Sequence, residues 1–451
     1  MPQPDTHKFE DYVFDAETAQ LSYRDRCAVA EEGYYFIANH ILYYYDIRTD
    51  AMFPLCTKES CAHRDKNCNA YVYWADGEMG SWVSNCDYYD LVTYEGSLIM
   101  FSRDDKWDLY ACRYQYDFAQ RKQLGRLTRS TAEPRILAVG LPSTLVNKGW
   151  LYYVSFVYDT EKMQNQECDT LFTLCRVRLE EGAVPEELYT FDFPVDYDLQ
   201  NASEYGVQVL PYQDDIYCVA AFGQRVYQTE NQVQQRIIRY NEETGAELIW
   251  SYTGDERVNF FGSEGEGPLL IYPAVLNENG ELMYMTGEDA EYHSSAVEVS
   301  KVNLISHESQ VIYRTPYRWI EQLSTDGKNY YFLEVGQGEM YLTAIDAEGN
   351  LLRRYEFDYT EKYREKAEET NFPRENWVAD NIRLLITDSR YIAVSSFDRN
   401  CYEGLSSDKE LADDAYDVTT GIGLILTEDF LSGKDIEIRQ IYERTDPDPF
   451  M

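Results

Sequence analysis

The chain has no apolar stretch that approaches the roughly 18 residues a membrane-spanning helix requires. Its opening residues, MPQPDTHKFEDYVFD, also lack the basic and apolar segments that make up a secretory signal. We therefore expect no membrane span and a cytoplasmic location. The alternative is a cell-surface or secreted protein from which a leader has been removed.

Basic residues are scarce, because 40 Lys and Arg stand against 80 Asp and Glu and give a formal net charge of −40. Nucleic-acid binding depends on neutralising phosphates with Lys and Arg, so we expect no nucleic-acid partner. The acidic residues are spread along the chain instead of forming a tail. This spread favours solubility over the attraction of basic partners as their role.

Familiar catalytic signatures are also missing. The sequence contains no Gly-x-Ser-x-Gly pentapeptide for a serine nucleophile, and none of its five histidines has a neighbouring nucleophile that would mark it as catalytic. Acidic pairs such as Asp214-Asp215 lie in predicted turns, where Asp is favoured for backbone reasons. The sequence therefore identifies no catalytic residue.

What the chain has in abundance is a repeated hairpin rich in tyrosine, a residue that favours strands and occurs 41 times. In each copy a turn precedes an apolar run of period two, as expected of an inner hairpin. The seven copies begin at Glu31, Tyr94, Asn147, Tyr212, Asn277, Thr325 and Thr387. A second, outer hairpin follows each of them, beginning at Tyr43, Tyr114, Val177, Arg239, Lys301, Thr343 and Leu424.

Seven inner and seven outer hairpins make seven four-stranded units. Such units closed into a ring form a β-propeller, which leaves only short sheet edges. The sequence predicts an all-β, seven-bladed propeller as a single domain over residues 1–451, with six or eight blades as the alternative counts. The segment Asp11–Phe14 is predicted to close the ring against the last blade, around Ile436–Tyr442. Residues 359–378 are predicted to form a helical loop insertion.

An insertion rich in Cys and His, residues 54–89, separates the first two blades. It places four candidate metal ligands within thirteen residues, at Cys56, Cys61, His63 and Cys68. Three thiolates and one imidazole suit a tetrahedral zinc ion, although the C-x4-C-x-H-x4-C spacing differs from that of zinc ribbons and zinc fingers. Disulfides among these cysteines and Cys86 are the alternative, since they would cross-link a loop that has no core of its own. A third possibility is unlinked thiols.

The run Leu42–Tyr71 resembles a segment of a family of uncharacterised bacterial β-propeller proteins. In that family a Tyr-rich LYYYD strand precedes the same Leu-Cys, Cys-x-His and Cys-x-Ala run. The resemblance implies the propeller fold and the insertion, and many family members are predicted lipoproteins or secreted proteins. It implies no reaction, because the family has no established activity.

Two functions remain open. The first is a monomeric binding or protein-interaction scaffold for a protein, peptide or carbohydrate ligand. Its candidate contacts are four aromatic residues of the insertion, which can equally pack the insertion onto the blades: Tyr71, Tyr73, Trp74 and Trp82. The alternative is a glycan-active hydrolase or lyase, with carboxylates gathered at the propeller centre from separate blades.

Overall fold

A computed structural model gives the architecture of the chain. It describes residues 20–21, 27–38, 41–63, 68–71, 91–103, 109–115, 117–127, 144–156, 169–170, 172–191, 195–196, 204–223, 233–254, 271–276, 279, 281–286, 297–304, 306, 308–317, 319–336, 339–357, 382–399 and 417–443. The described residues are almost entirely strands, and the fold is a seven-bladed β-propeller. The chain divides into two compact units, Met1–Phe260 and Phe261–Met451.

The first unit holds four blades, each an antiparallel meander of four strands. Blade 1 consists of β2 (Cys27–Ala30), β3 (Gly33–Ala38), β4 (Ile41–Asp46) and β5 (Ala51–Pro54). Blade 2 consists of β6 (Val92–Tyr94), β7 (Ser97–Arg103), β8 (Leu109–Gln115) and β9 (Asp117–Arg126). Blade 3 consists of β10 (Leu145–Asn147), β11 (Trp150–Phe156), β13 (Phe172–Arg178) and β14 (Glu186–Thr190). Blade 4 consists of β16 (Glu204–Tyr212), β17 (Asp215–Gly223), β18 (Val233–Asn241) and β19 (Gly245–Gly254).

Three further strands belong to the same unit. The short strand β1 (Gln20–Leu21) pairs with β10 and adds a fifth strand to blade 3. The strands β12 (Asp169–Thr170) and β15 (Val195–Asp196) pair with each other as a separate two-stranded sheet.

The second unit holds three blades built in the same way. Blade 5 consists of β20 (Ile271–Leu276), β21 (Glu281–Thr286), β22 (Glu298–Asn303) and β23 (Ser309–Arg314). Blade 6 consists of β24 (Trp319–Thr325), β25 (Tyr330–Val335), β26 (Met340–Ile345) and β27 (Leu351–Glu356). Blade 7 consists of β28 (Ile382–Thr387), β29 (Tyr391–Arg399), β30 (Asp417–Leu426) and β31 (Arg439–Glu443), with helix α1 (Thr427–Ser432) between its last two strands.

Local turn chemistry explains why the hairpins form where the sequence predicts them. The pairs Glu95-Gly96 and Lys148-Gly149 each have two consecutive positive φ values, as two-residue hairpin turns of type I′ require. Aspartates begin several other turns by accepting backbone hydrogen bonds, a role that favours Asp at these positions. Asp326 accepts from the amide of Lys328 at 2.8 Å, and Asp346 accepts from the amide of Asn350 at 2.8 Å.

Apolar side chains fill the space between consecutive blades of each unit. The core between blades 1 and 2, for example, joins Tyr35 and Leu42 to Leu98 and Met100. A hydrogen bond also links the first strands of blades 1 and 2, β2 and β6. The Thr93 hydroxyl donates to the Val29 carbonyl at 2.7 Å in the first unit. The hydrophobic effect of burying these apolar side chains holds one blade against the next.

The predicted count of seven blades is confirmed, and all fourteen predicted hairpins correspond to observed strand pairs. Helix α1 was not predicted, because its six residues carry no apolar period of their own. The predicted closing strand Asp11–Phe14 and the helical loop 359–378 lie outside the described residues. Among the residues that are described, no helix has the length and apolarity needed to cross a membrane.

Candidate metal centre

The Cys/His loop, which we define as Leu55–Tyr71, begins where the outer strand of blade 1 ends. The amide of Leu55 donates to the carbonyl of Leu42 at 3.0 Å, continuing the edge of the sheet. The chain then returns to the same edge, where the amide of Leu42 donates to the carbonyl of Ala70 at 2.9 Å and Tyr71 forms a bridge with Ile41. Both ends of the loop are therefore attached to strand β4.

Between these two attachments, the loop brings its four predicted ligands together. One ligand atom from each of Cys56, Cys61, His63 and Cys68 lies within 4.8 Å of all the others. His63 Nδ1 lies 3.3 Å from the sulfur of Cys68. The arrangement gathers three soft sulfur donors and one imidazole nitrogen around a single point.

These separations fit a tetrahedral zinc ion. With Zn–S bonds of about 2.3 Å, two sulfurs on one ion lie roughly 3.8 Å apart. The ligand atoms of the structure lie up to 4.8 Å apart. The most distant pair would therefore have to move closer by about 1 Å to bind one ion. The donor set therefore fits zinc in both chemistry and spacing, and such a cluster could hold a metal.

The backbone of the loop adopts two uncommon conformations next to the ligands. Ser60 has φ of 58° and His63 has φ of 53°, in the left-handed region that non-glycine residues seldom enter. Ser60 lies within a turn in which the amide of Cys61 donates to the carbonyl of Lys58 at 3.4 Å. This turn and the left-handed His63 bend the backbone between ligands that are close in sequence.

The protein environment shifts the pKa values of Cys56 and Cys68, the first and last of the four candidate ligands, in opposite directions. Burial raises the pKa of the Cys68 thiol to about 12. Burial acts in the same direction on Cys56, but the backbone amides of Lys58 and Asn69 donate hydrogen bonds to its sulfur and lower the pKa below its usual value. Desolvation lowers the pKa of His63, which favours the neutral imidazole that binds metals.

The innermost part of the centre belongs to the core between blades 1 and 2. Cys68 is 5% exposed and Ala70 is fully buried. The amide of Ala70 donates to the Cys68 sulfur at 3.3 Å. Both residues pack in the same cluster as Leu42 of blade 1 and Leu91, the residue just before the first strand of blade 2. The ligand set is therefore anchored in the fold on the Cys68 side, while Cys56 and Cys61 are half-buried.

Disulfides were the alternative for these cysteines. Cys56, Cys61 and Cys68 are free thiols in the structure, and the fourth cysteine of that hypothesis, Cys86, lies outside the described residues. Four other cysteines are buried on strands, as expected for small apolar side chains: Cys27, Cys112, Cys175 and Cys218.

Of the four aromatic residues predicted to contact a ligand, the structure describes Tyr71. Its ring is half-buried and packs against the core between blades 1 and 2. The other three, Tyr73, Trp74 and Trp82, lie outside the described residues. For Tyr71 this contact supports the packing interpretation named above.

Sequence reasoning missed the groups that surround the ligands. The amides that donate to sulfur belong to Lys58, Asn69 and Ala70, and any residue type carries such an amide. It also missed a second polar cluster, between blades 5 and 6, where the fully buried Glu334 of blade 6 accepts hydrogen bonds from Tyr313 and Thr315. A lone Glu in the apolar strand YYFLEV was the one signal in the sequence.

No protein-family model matches the chain, and no curated protein matches it. Solved structures share the fold at low identity. A prolyl endopeptidase matches at 11% identity and a TM-score of 0.47, over 96% of this chain and 50% of that chain. The β-propeller domain of the Trilobed protease from Pyrococcus furiosus matches at 11% identity and a TM-score of 0.44, over 95% and 98%. TolB from Acinetobacter baumannii matches at 8% identity and a TM-score of 0.32, over 76% and 64%.

The lengths of these proteins differ from one another. The present chain spans half of the prolyl endopeptidase chain and nearly all of the Pyrococcus furiosus propeller domain. At this identity, the similarity concerns the fold alone.

Proposed function

We propose that the protein is a non-catalytic binding scaffold whose Cys/His loop is held by one structural zinc ion. The observation that carries the zinc assignment is the convergence of Cys56, Cys61, His63 and Cys68 within 4.8 Å. Zinc bound by four protein ligands has no open position for water or substrate, which is the pattern of structural sites. The ion would stabilise the loop and take no part in a reaction.

The contacts of the loop define what the zinc would stabilise. The end of the loop, Cys68–Tyr71, is its return segment. It lies beside the start of strand β4, because the amide of Leu42 donates a hydrogen bond to the carbonyl of Ala70. It also covers the core between blades 1 and 2 with Cys68 and Ala70. A metal that draws the ligands together would therefore fasten the loop across the outer edge of the first blade and protect the adjoining core.

Metal content and coordination test the zinc assignment directly. Native mass spectrometry of the intact chain should show one zinc per chain. Replacing zinc with Co²⁺ should give the visible absorption of a tetrahedral site with thiolate-to-metal charge transfer. A chain without bound metal, or a cobalt spectrum typical of six oxygen ligands, would contradict the assignment.

A matched pair of cysteine variants supplies the control. Cys68→Ser removes a predicted ligand, and Cys218→Ala removes a buried thiol of blade 4 that lies in a different core cluster. We expect the first variant to lose the metal and the second to retain it. Loss of metal from both would indicate a general folding defect.

The architecture is compatible with the binding role, which is tested separately. The zinc-loaded protein would be applied to arrays of peptides and glycans, with hydrolysis of the glycans followed in parallel. Saturable binding without turnover supports the scaffold, for a protein, peptide or carbohydrate ligand. Turnover of a glycan would replace it with the hydrolase or lyase hypothesis.

A further inference from the structure

The three thiols of the centre differ in how far they are accessible. Cys56 and Cys61 are half-buried, whereas Cys68 is 5% exposed and seated in the core between blades 1 and 2. Oxidation of cysteine by peroxides follows the exposure and the thiolate character of the sulfur. Two of the three thiols are therefore partly accessible to an oxidant, and the third is protected by the fold.

The same two thiols are already close enough to react with each other. Their sulfurs lie within 4.8 Å, and bonded sulfurs are about 2 Å apart. Only four residues separate them in sequence, and a turn from Cys61 to Lys58 folds this segment back on itself. A bond between them would require movement of the loop alone, with the blades left in place.

We propose that Cys56 and Cys61 form a redox-sensitive modification site, in which a hydroperoxide converts the zinc-bound dithiolate into a disulfide and releases the zinc. This inference rests on the proposed structural zinc. The metal and disulfide alternatives raised by the sequence then become two states of one site. The reduced state holds zinc with four ligands, and the oxidised state holds a Cys56–Cys61 bond.

The chemistry balances with hydrogen peroxide as the named oxidant. One thiolate of the pair attacks a peroxide oxygen, the O–O bond breaks, and protonation of the leaving oxygen gives water and a sulfenic acid. The second thiolate attacks that sulfur, the S–O bond breaks, and a second proton gives a second water. Two thiolates, one peroxide and two protons thus yield one disulfide and two waters.

Zinc leaves because the oxidised site offers two ligands where the reduced site offered four. A disulfide sulfur is a poor ligand for zinc, which binds the thiolate. His63 and Cys68, which lie 3.3 Å apart in the structure, would be the two ligands left and would not complete a tetrahedron by themselves. The return segment would then lose the ion that fastens it to strand β4.

The test uses the intact, zinc-loaded chain and hydrogen peroxide as the probe. A chromogenic chelator should report release of one zinc per chain, together with a mass loss of two hydrogens. Peptide mapping without reduction should assign the new bond to Cys56 and Cys61. A thiol reductant with added zinc should restore both mass and metal. The variant Cys218→Ala should behave like the wild type throughout.

Two results would overturn the inference while leaving the structural zinc in place. The first is zinc that stays bound in peroxide while cysteines elsewhere are oxidised. The second is zinc release accompanied by a bond that includes Cys68, which would contradict the protection ascribed to its burial. A chain that binds no zinc before peroxide is added would refute the proposed function itself, and native mass spectrometry separates that case at the outset.

Discussion

Two polar clusters lie against apolar cores in this protein, the Cys/His loop beside blade 1 and the Glu334 cluster between blades 5 and 6. Glu334 has no exposed surface, yet each of its carboxylate oxygens has partners from the chain. Tyr313 and Thr315 donate to one oxygen at 2.7 and 2.6 Å, and Arg354 donates to the other at 2.6 Å. Thr343 donates to this second oxygen as well.

The comparison shows two ways to make a buried polar cluster stable. In blade 6 the neutralising cation is Arg354, a side chain of the same blade, which also donates to the Tyr313 hydroxyl at 2.6 Å. In the Cys/His loop, the groups that face one another are thiols and an imidazole, which attract a soft metal cation when the thiols are ionised. The first cluster is complete within the chain, and the second would become complete with the zinc ion that we propose.

The largest expected effect is at Glu334. Glu334→Ala would leave the Arg354 guanidinium and three hydroxyl groups without their common acceptor, and breaking a buried pair in this way costs about 3–5 kcal/mol. We expect the urea midpoint of the second unit to fall accordingly. The exposed Glu348→Ala in the same blade is the control, and equal effects from the two variants would refute the role given to Glu334.

Removal of zinc should cause the next largest loss of stability. This loss should be confined to the Cys/His loop. Free zinc at about 100 times its Kd stabilises the form that binds it by about 2.7 kcal/mol, which a chelator would remove. Hydrogen exchange should accelerate at the amides of Leu42 and Tyr71, whose bonds depend on the loop. The amides of strand β25 around Glu334 should keep their protection; loss there as well would show that the ion acts on the whole fold.

A smaller effect is expected from a single hydroxyl of the Glu334 cluster. Tyr313→Phe would remove the bond to the carboxylate and the bond from Arg354, and a hydrogen bond to a charged group contributes about 1.5 kcal/mol or somewhat more. Chemical denaturation would measure this loss. Chelator should change the stability of this variant by the same amount as that of the wild type, since the two clusters share no residue; a coupled response would contradict their independence.

The smallest expected effect is a pH dependence at the turn of Asp346, a self-contained polar site on the surface. Burial raises the pKa of this carboxyl, but hydrogen bonds from Asn350 and from backbone amides outweigh it and lower the pKa below the usual value. The charged form therefore stabilises the folded state above the ordinary pKa near 4, and this contribution is lost as the pH falls through the lowered value.

Asp346→Asn keeps an acceptor for the turn and removes the charge. We expect this variant to have nearly wild-type stability at neutral pH and a shallower loss of Tm on acidification. Asn350→Ala, which removes one donor to the carboxylate at 2.9 Å, should give an intermediate profile. An acid profile identical to that of the wild type in both variants would show that the turn does not contribute.

Much of the fold could be predicted from the sequence because its signals are local. Each hairpin carries its own turn residues, such as Lys148-Gly149, and an apolar period of two beside them. The four ligands of the candidate centre were also recognisable, since Cys56 and Cys68 are only twelve positions apart. The Glu334 cluster could not be predicted, because its partners lie 9 to 21 residues away in the sequence and carry no common motif.

The sequence by itself determined the strand order, the seven repeats and the identity of the ligands, because turn geometry and residue chemistry act over a few neighbouring positions. Only the tertiary structure decided how those ligands are exposed. Cys68 became the buried member because the return of Ala70 to strand β4 places it in the core between blades 1 and 2. Cys56 and Cys61, identical to Cys68 in chemistry, pack against the same core but remain partly exposed.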